Sequence, residues 1–242
     1  SLLANGAYLA DAIDLGISIN IGAHLNILRG SPVTPIKKIP SLLNGNGDFL
    51  GRYDLLLLRY YVGTLNLDHV EIEWRAQIER LLDYGVKLTH LDSEKHIHCW
   101  PKLFKIADKL ACEYNISRIR RTYEPGVCFF PIKNRMRISL LNFWNYQNKA
   151  SKTTTATLTW GVFDQAARFN AKNLSKFLEV FQPEFLEIVC HPGLVQVSDP
   201  SLDANLGKMK VSDQWKVEYN TLKSGEIAQV LLDNSYKMVS LA

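Results

Sequence analysis

Five side chains able to bind a metal or carry a proton fall within nine residues, His90-Leu91-Asp92-Ser93-Glu94-Lys95-His96-Ile97-His98, each at an even-numbered position. Successive side chains of an extended strand point to opposite faces, so a period of two presents His90, Asp92, Glu94, His96 and His98 on one side. A core face does not ordinarily carry such a density of polar groups. Imidazole and carboxylate suit zinc and other divalent ions, and catalytic sites commonly use about three protein ligands, leaving a position for water. Such water loses a proton near neutral pH and can attack a carbonyl.

Two further histidines join this stripe. His24 closes the alternating run that starts at Ser18, and His191 follows the apolar run from Phe185 to Cys190. With the 90–98 cluster after Lys87 to Thr89, three segments place a histidine at the carboxyl end of a predicted strand, where parallel α/β folds collect their sites. His24 or His191 alone would be an ordinary core or surface histidine, so the convergence carries the argument. His191-Pro192-Gly193 also fits a simple turn. Arg118, Arg120 and Arg121 suit either an anionic or carbonyl-bearing substrate or a structural ion pair. Trp100, Phe129, Phe130 and Trp160 suit either stacking on a sugar face or core packing.

The elements that must position these groups alternate along the chain. Apolar residues recur at helical spacing from about Asp68 to Tyr84, with Asp68 as the expected N-cap and Gly85 as a stop. Lys87 to Asp92 then reads as strand. Pro101 opens a second helix, running to about Tyr114, at the first turn where its missing N–H costs nothing; Leu103, Ile106, Ala107, Leu110 and Ala111 form its buried stripe. The alternation continues with a strand near Ile116 to Arg120, a helix over Asn134 to Tyr146, a strand over Thr153 to Trp160 and a helix over Asn173 to Phe181. A strand over Phe185 to Cys190, a helix over Asp213 to Lys223 and a last strand over Met238 to Leu241 complete it. Residues 31–53, with three prolines and the Asn44-Gly45-Asn46-Gly47 cluster, read as a long loop. Repeated strand and helix units predict a parallel α/β architecture in a single domain over residues 1–242.

Composition sets the class. The 242 residues are 47% hydrophobic and 10% aromatic, enough for a large core. The net charge of +4 is spread over short basic clusters, which argues against nucleic acid as a partner. No window approaches the roughly 18 apolar residues of a membrane span. Four cysteines without CxxC spacing point to a reducing, cytoplasmic setting.

Gly22-Ala23-His24-Leu25-Asn26-Ile27 followed by Gly30-Ser31-Pro32 resembles the G-x-H-L-N-L…G-x-P segment of the YdjC-like carbohydrate deacetylases, which include chitooligosaccharide deacetylase. Thr89 to His98 with Pro101 resembles that family's T-H-L-D-S-H-x-H-x-H…P motif. Ile119-Arg120…Glu124 is similar to its V-R-x-x-x-E, and Glu187 to Gly193 to its E-x-x-x-H-P-G. Ser1 to Gly6 looks like the family's second strand. The matches keep the family's order over essentially the whole chain.

This resemblance implies a (β/α) barrel-like deacetylase fold, an N-acetylated oligosaccharide as substrate, one divalent ion, Mg²⁺ or Zn²⁺, and the possibility of a homodimer. It assigns metal binding to His24 and Glu94 together with an aspartate of a D-D-F-G motif, whose second carboxylate is the base. His191 becomes the acid that protonates the leaving amine. Asp92, His96 and His98 orient ligands or substrate, and Arg120 and Glu124 shape the sugar pocket. Two departures accompany it. D-D-F-G does not occur, so the domain is expected to be incomplete at its N-terminus, lacking a first βα unit, and Glu94 stands where the family has histidine. Two alternatives stay open: a catalytically inactive sugar-binding relative, and a different metallohydrolase in which His96 and His98 are the metal pair.

Overall fold

The computed structural model describes residues 1–6, 8–14, 20–125, 132–148, 158–194 and 211–239. The chain divides into two units, one centred on Ser1–Arg120 and the other on Arg121–Gln147 and Ala156–Val239.

In chain order, the first unit carries α1 (Leu9–Asp14), β1 (Ile21–Leu25), α2 (Tyr53–Tyr61), α3 (Leu67–Asp83), β2 (Leu88–Ser93), α4 (Pro101–Glu113) and β3 (Arg118–Ile119). The three strands form a parallel sheet in the order β1-β2-β3. Leu2 adds a parallel bridge to Ala23 on the other side of β1, through Leu2 N–H to the Gly22 carbonyl at 2.7 Å and His24 N–H to the Leu2 carbonyl at 2.8 Å.

Helix α3 forms where the apolar period predicts, burying Val70, Trp74, Ile78 and Leu81. Its N-cap is Asn66 rather than Asp68: the Asn66 side chain accepts from the Asp68 and His69 amides at 2.9 and 3.2 Å. Asp68 sits instead in the first turn, where its charge favours the helix dipole. Pro101 does open α4, whose buried residues Leu103, Phe104, Ile106, Ala107, Leu110 and Ala111 face the core. Each fully buried leucine, isoleucine or phenylalanine contributes about 1.5–3 kcal/mol relative to exposure.

The loop expected over 31–53 contains short 3₁₀ turns at Ile36–Lys38 and Pro40–Leu42 and a Leu43–Phe49 bridge. Sequence periodicity passed over α2, whose buried face is only Leu56 and Tyr60, one turn apart.

The second unit carries α5 (Ile132–Gln147), β4 (Leu158–Trp160), α6 (Ala171–Phe181), β5 (Leu186–Ile188), α7 (Val211–Lys223) and α8 (Glu226–Asp233). Strands β4 and β5 pair in parallel, Leu158 with Leu186 and Trp160 with Ile188. Trp160, Phe169, Leu174, Phe177, Leu178 and Ile227 make the core. Of the strand expected over Thr153 to Trp160, residues 153–157 lie outside the described residues. Met238 and Val239 form no strand: they are 94% and 60% exposed, and residues 240 and 241 lie outside the described residues.

Candidate functional site

Parallel pairing of β1 with β2 puts His24 in register with Asp92, and in a parallel ladder register neighbours share a face. His24 Nδ1 lies 2.7 Å from Asp92 Oδ1, while Asp92 Oδ2 lies 2.6 Å from an Arg120 guanidinium nitrogen and accepts from Ser1 Oγ at 2.9 Å. Asp92 is 2% exposed, so three donors share one buried carboxylate. Burial would raise that carboxyl, but Arg120 and His24 outweigh it and hold it well below the ordinary range.

The other ring nitrogen of His24, Nε2, lies 3.7 Å from Glu94 Oε2. Burial alone would lower the His24 imidazole, but Asp92 and Glu94 lift it to about 9. Glu94 Oε1 in turn lies 3.6 Å from Arg29 Nε. Burial would raise the Glu94 carboxyl, and His24 and Arg29 bring it below its ordinary value.

The alternating stripe does not survive as a strand. β2 stops at Ser93, and Glu94–Cys99 winds into a 3₁₀ turn with Lys95 and His96 in the left-handed region at φ 52° and 55°. The physical reason is Ser93: its Oγ accepts from the His98 amide at 2.9 Å and lies 2.6 Å from His98 Nδ1, which pulls the chain back on itself. His90 and Asp92 therefore remain as strand residues on one face, while Glu94 reaches His24 from the turn. His98 is fully buried, with Nε2 2.7 Å from the Arg120 carbonyl. Both of its ring nitrogens are thus engaged by protein. Burial and the nearby Arg120 push the His96 imidazole well below its ordinary value.

The His90 ring lies between Thr89 Oγ1 and Ser1 Oγ, 3.0 Å from each. A Cβ on Gly22 would come within 2.3 Å of that ring, so only glycine permits β1 to pass beneath it.

Sequence reasoning did not find Arg29, nor what positions it. Asn26 Oδ1 accepts from the Leu28 and Arg29 amides at 2.8 and 3.2 Å, and Asn26 Nδ2 donates to the Arg29 carbonyl at 2.7 Å. From α3, Gln77 takes both the amide and the carbonyl of Asn26 at 2.9 and 2.6 Å. The signal available was Asn26 itself, a polar residue directly after a strand and three before Arg29.

In the second unit, Glu124 is fully buried, its two oxygens accepting from the Gly161 and Phe163 amides at 3.0 Å each. Burial, with Asp164 nearby, pushes its carboxyl up to about 8 against those two donors. Glu218 on α7, also missed in the sequence, accepts from the Ala166 amide at 2.9 Å and the His191 amide at 2.6 Å. The His191 ring is half exposed, its Nδ1 3.9 Å from the same carboxylate. Trp100 and Trp160 are fully buried, so they pack in the core and do not stack on a sugar; Phe129 and Phe130 lie outside the described residues.

His24 Nε2 and Glu94 Oε2 form a mixed nitrogen and oxygen donor pair of the kind zinc accepts, whereas magnesium favours oxygen alone. Two donors on a tetrahedral ion at ordinary bond lengths sit about 3.4 Å apart, close to the 3.7 Å found. The pair therefore fits a divalent ion as two of its ligands. Among the described residues no group of three histidine, cysteine or carboxylate side chains is arranged to hold one.

A family model described as YdjC-like protein matches residues 1–233. A carbohydrate deacetylase of Clostridium beijerinckii is 26% identical over 224 residues, 92% of this chain and 77% of that protein. One from Brevibacillus brevis is 24% identical over 229 residues, 93% and 78% of the two chains. A shorter match to the carbohydrate deacetylase of Halalkalibacterium halodurans is 36% identical over 98 residues and spans 40% of each chain. Among solved structures, one from Enterococcus faecalis, described as a candidate cellobiose-phosphate cleavage protein, aligns with a TM-score of 0.74 at 20% identity. That alignment covers 99% of this chain and 84% of the other. The likeness establishes a mixed α/β fold with parallel sheets.

Proposed function

The chain belongs to the YdjC-like protein family, and we propose that it is a metal-dependent hydrolase that removes acetyl groups from N-acetylated oligosaccharides of the chitooligosaccharide type. One observation carries this reading: Asp92 engages His24 Nδ1 and leaves Nε2 directed at Glu94. A carboxylate behind a histidine, fixing its tautomer and raising its basicity, is the usual support of a metal-binding imidazole.

His24 and Glu94 would hold the ion, Mg²⁺ or Zn²⁺, and loading it displaces the proton that His24 otherwise keeps. Bound there, it supplies Lewis-acid polarisation of the acetyl carbonyl and activation of water. The chain's own groups do the rest. Asp92 holds the imidazole, and Arg120 and Ser1 hold Asp92. His98, locked by Ser93 and the Arg120 carbonyl, keeps the end of β2 next to β3. His191 would give its proton to the amine nitrogen as the C–N bond breaks. The water that adds to the acetyl carbon would lose its proton to the carboxylate that the resemblance names as base, leaving acetate and the free amine as products. Glu124 sets the loop that follows β4. The same reading expects one barrel-like deacetylase domain over residues 1–242.

Acetate release from di-N-acetylchitobiose by purified full-length protein, with metal content measured in parallel, tests the reading. Stoichiometric metal and acetate support it; metal without acetate overturns the assigned reaction. A second reading, a sugar-binding relative without catalysis, is favoured by the guanidinium that shares Glu94. Sugar binding with neither metal nor acetate would establish it. The alternative metal pair, His96 with His98, would require His98 to give up a ring hydrogen bond. Loss of metal on Glu94→Ala but not on His96→Ala decides for Glu94.

A further inference from the structure

We propose that Arg29 sets the metal affinity of this site, by holding a permanent positive charge against the carboxylate that the ion must use. The inference rests on the reading that His24 and Glu94 take a divalent ion.

Glu94 divides its two oxygens: Oε2 lies 3.7 Å from His24 Nε2 and Oε1 lies 3.6 Å from Arg29 Nε. The second distance exceeds hydrogen-bond reach, so Arg29 acts on Glu94 through charge and does not fix its orientation. A guanidinium does not deprotonate in proteins, so this charge cannot be titrated away to admit a cation.

Arg29 is delivered to the site by built structure. Asn26 holds both its amide and its carbonyl, Asn5 Nδ2 donates to the same carbonyl at 3.3 Å, and Gln77 holds Asn26 from α3. Its side chain is 16% exposed, too enclosed to swing out to solvent without cost. The two carboxylates are already matched by two guanidiniums: Asp92 faces Arg120 at 2.6 Å and Glu94 faces Arg29 at 3.6 Å. An entering divalent cation that takes Glu94 as a ligand comes up against the guanidinium lying 3.6 Å from that carboxylate. In a partly buried site that repulsion is weakly screened. Glu94 is thus an anionic ligand with a cationic neighbour, and the neighbour offsets the affinity that the negative charge would bring.

The test is titration of Zn²⁺ and of Mg²⁺, each alone, into full-length wild type, Arg29→Gln, Arg29→Lys and the Arg29→Gln/Glu94→Gln double variant by calorimetry. Circular dichroism melts check folding. Arg29→Gln is expected to bind on the order of tenfold tighter or more, Arg29→Lys to stay near wild type because it keeps the charge, and the double variant to lose the gain. Equal or weaker binding by a folded Arg29→Gln overturns the role of Arg29 and leaves the metal site standing. Tightening by Arg29→Lys equal to that of Arg29→Gln overturns the charge argument. No binding by any variant overturns the site and this proposal with it.

Discussion

Asp92 holds together groups that would otherwise repel. His24 and Arg120 both carry positive charge beside it, and the buried carboxylate between them satisfies each with a hydrogen-bond-length contact. Asp92→Asn keeps the shape but removes the charge, leaving the Arg120 guanidinium without its buried carboxylate and removing the main support of the His24 proton. We expect a loss of about 3 kcal/mol in urea unfolding and a fall in metal affinity of about 10- to 100-fold, the usual cost of losing such a support. Glu124 gives a pH signature of its own. Its carboxyl titrates near 8 in the folded chain against an ordinary 4.5. The native state therefore holds the extra proton between those values, and the Glu124 contribution falls as pH rises through that window. Urea midpoints at pH 5 and pH 8 measure this. Glu124→Gln, though less stable throughout because an amide N–H would face a backbone N–H, is expected to flatten the difference. Single residues were legible where type and neighbours agreed. His24, Asp92 and Glu94 stood out as ligand types at strand ends, whereas Arg29 looked like any surface arginine, because its role depends on a neighbour 65 positions away.

At the scale of elements, three buried glutamates repeat one device. Glu73 on α3 accepts from the Val33 and Thr34 amides at 2.9 and 3.0 Å, Glu124 from Gly161 and Phe163, and Glu218 from Ala166 and His191. Each carboxylate ties down backbone amides that no strand or helix satisfies, in a segment that follows a strand. Glu218→Ala would leave two amides without that acceptor, at about 1–3 kcal/mol each. Hydrogen exchange should show the Ala166 and His191 amides losing protection while those of α3 keep theirs; unchanged exchange at both would refute the bracing role. Helices α3 and α4 were readable from their apolar stripes and Pro101. The helical braces Glu73 and Glu218 were not, since a glutamate inside a charged helix reads as solvent-facing until its loop is in place. Glu124, singled out only by resemblance, was expected at the sugar pocket rather than under the loop after β4. The strand read over Lys87 to Asp92 ends within one residue of β2, but the one-face reading of the stripe ran on too far: alternation continues through Glu94, His96 and His98 in the sequence, and only the Ser93 to His98 hydrogen bonds show that the backbone has turned.

At the scale of the molecule, parallel α/β architecture followed from the order of strand and helix patterns, while register and strand ends did not, because both depend on partners far along the chain. Family membership extends over residues 1–233, and no helix among the described residues is long and apolar enough to cross a membrane. Metal removal gives a test on the whole chain. If the pair binds as proposed, ion at about 100 times its dissociation constant adds about 2.7 kcal/mol of stability, so melts with and without chelator should separate; superimposable melts would count against occupancy. The glutamate braces also bear on how the chain is made. The loop after β1 is fastened by Glu73, 40 residues after Val33, so it can close as soon as α3 is synthesised. Ala166 must wait for Glu218, 52 residues later, and His191 waits for the same side chain, 27 residues on. The loop assigned the proton donor is thus among the last to be secured during synthesis, and a nascent chain stalled before residue 218 would carry His191 on a segment still without its carboxylate anchor.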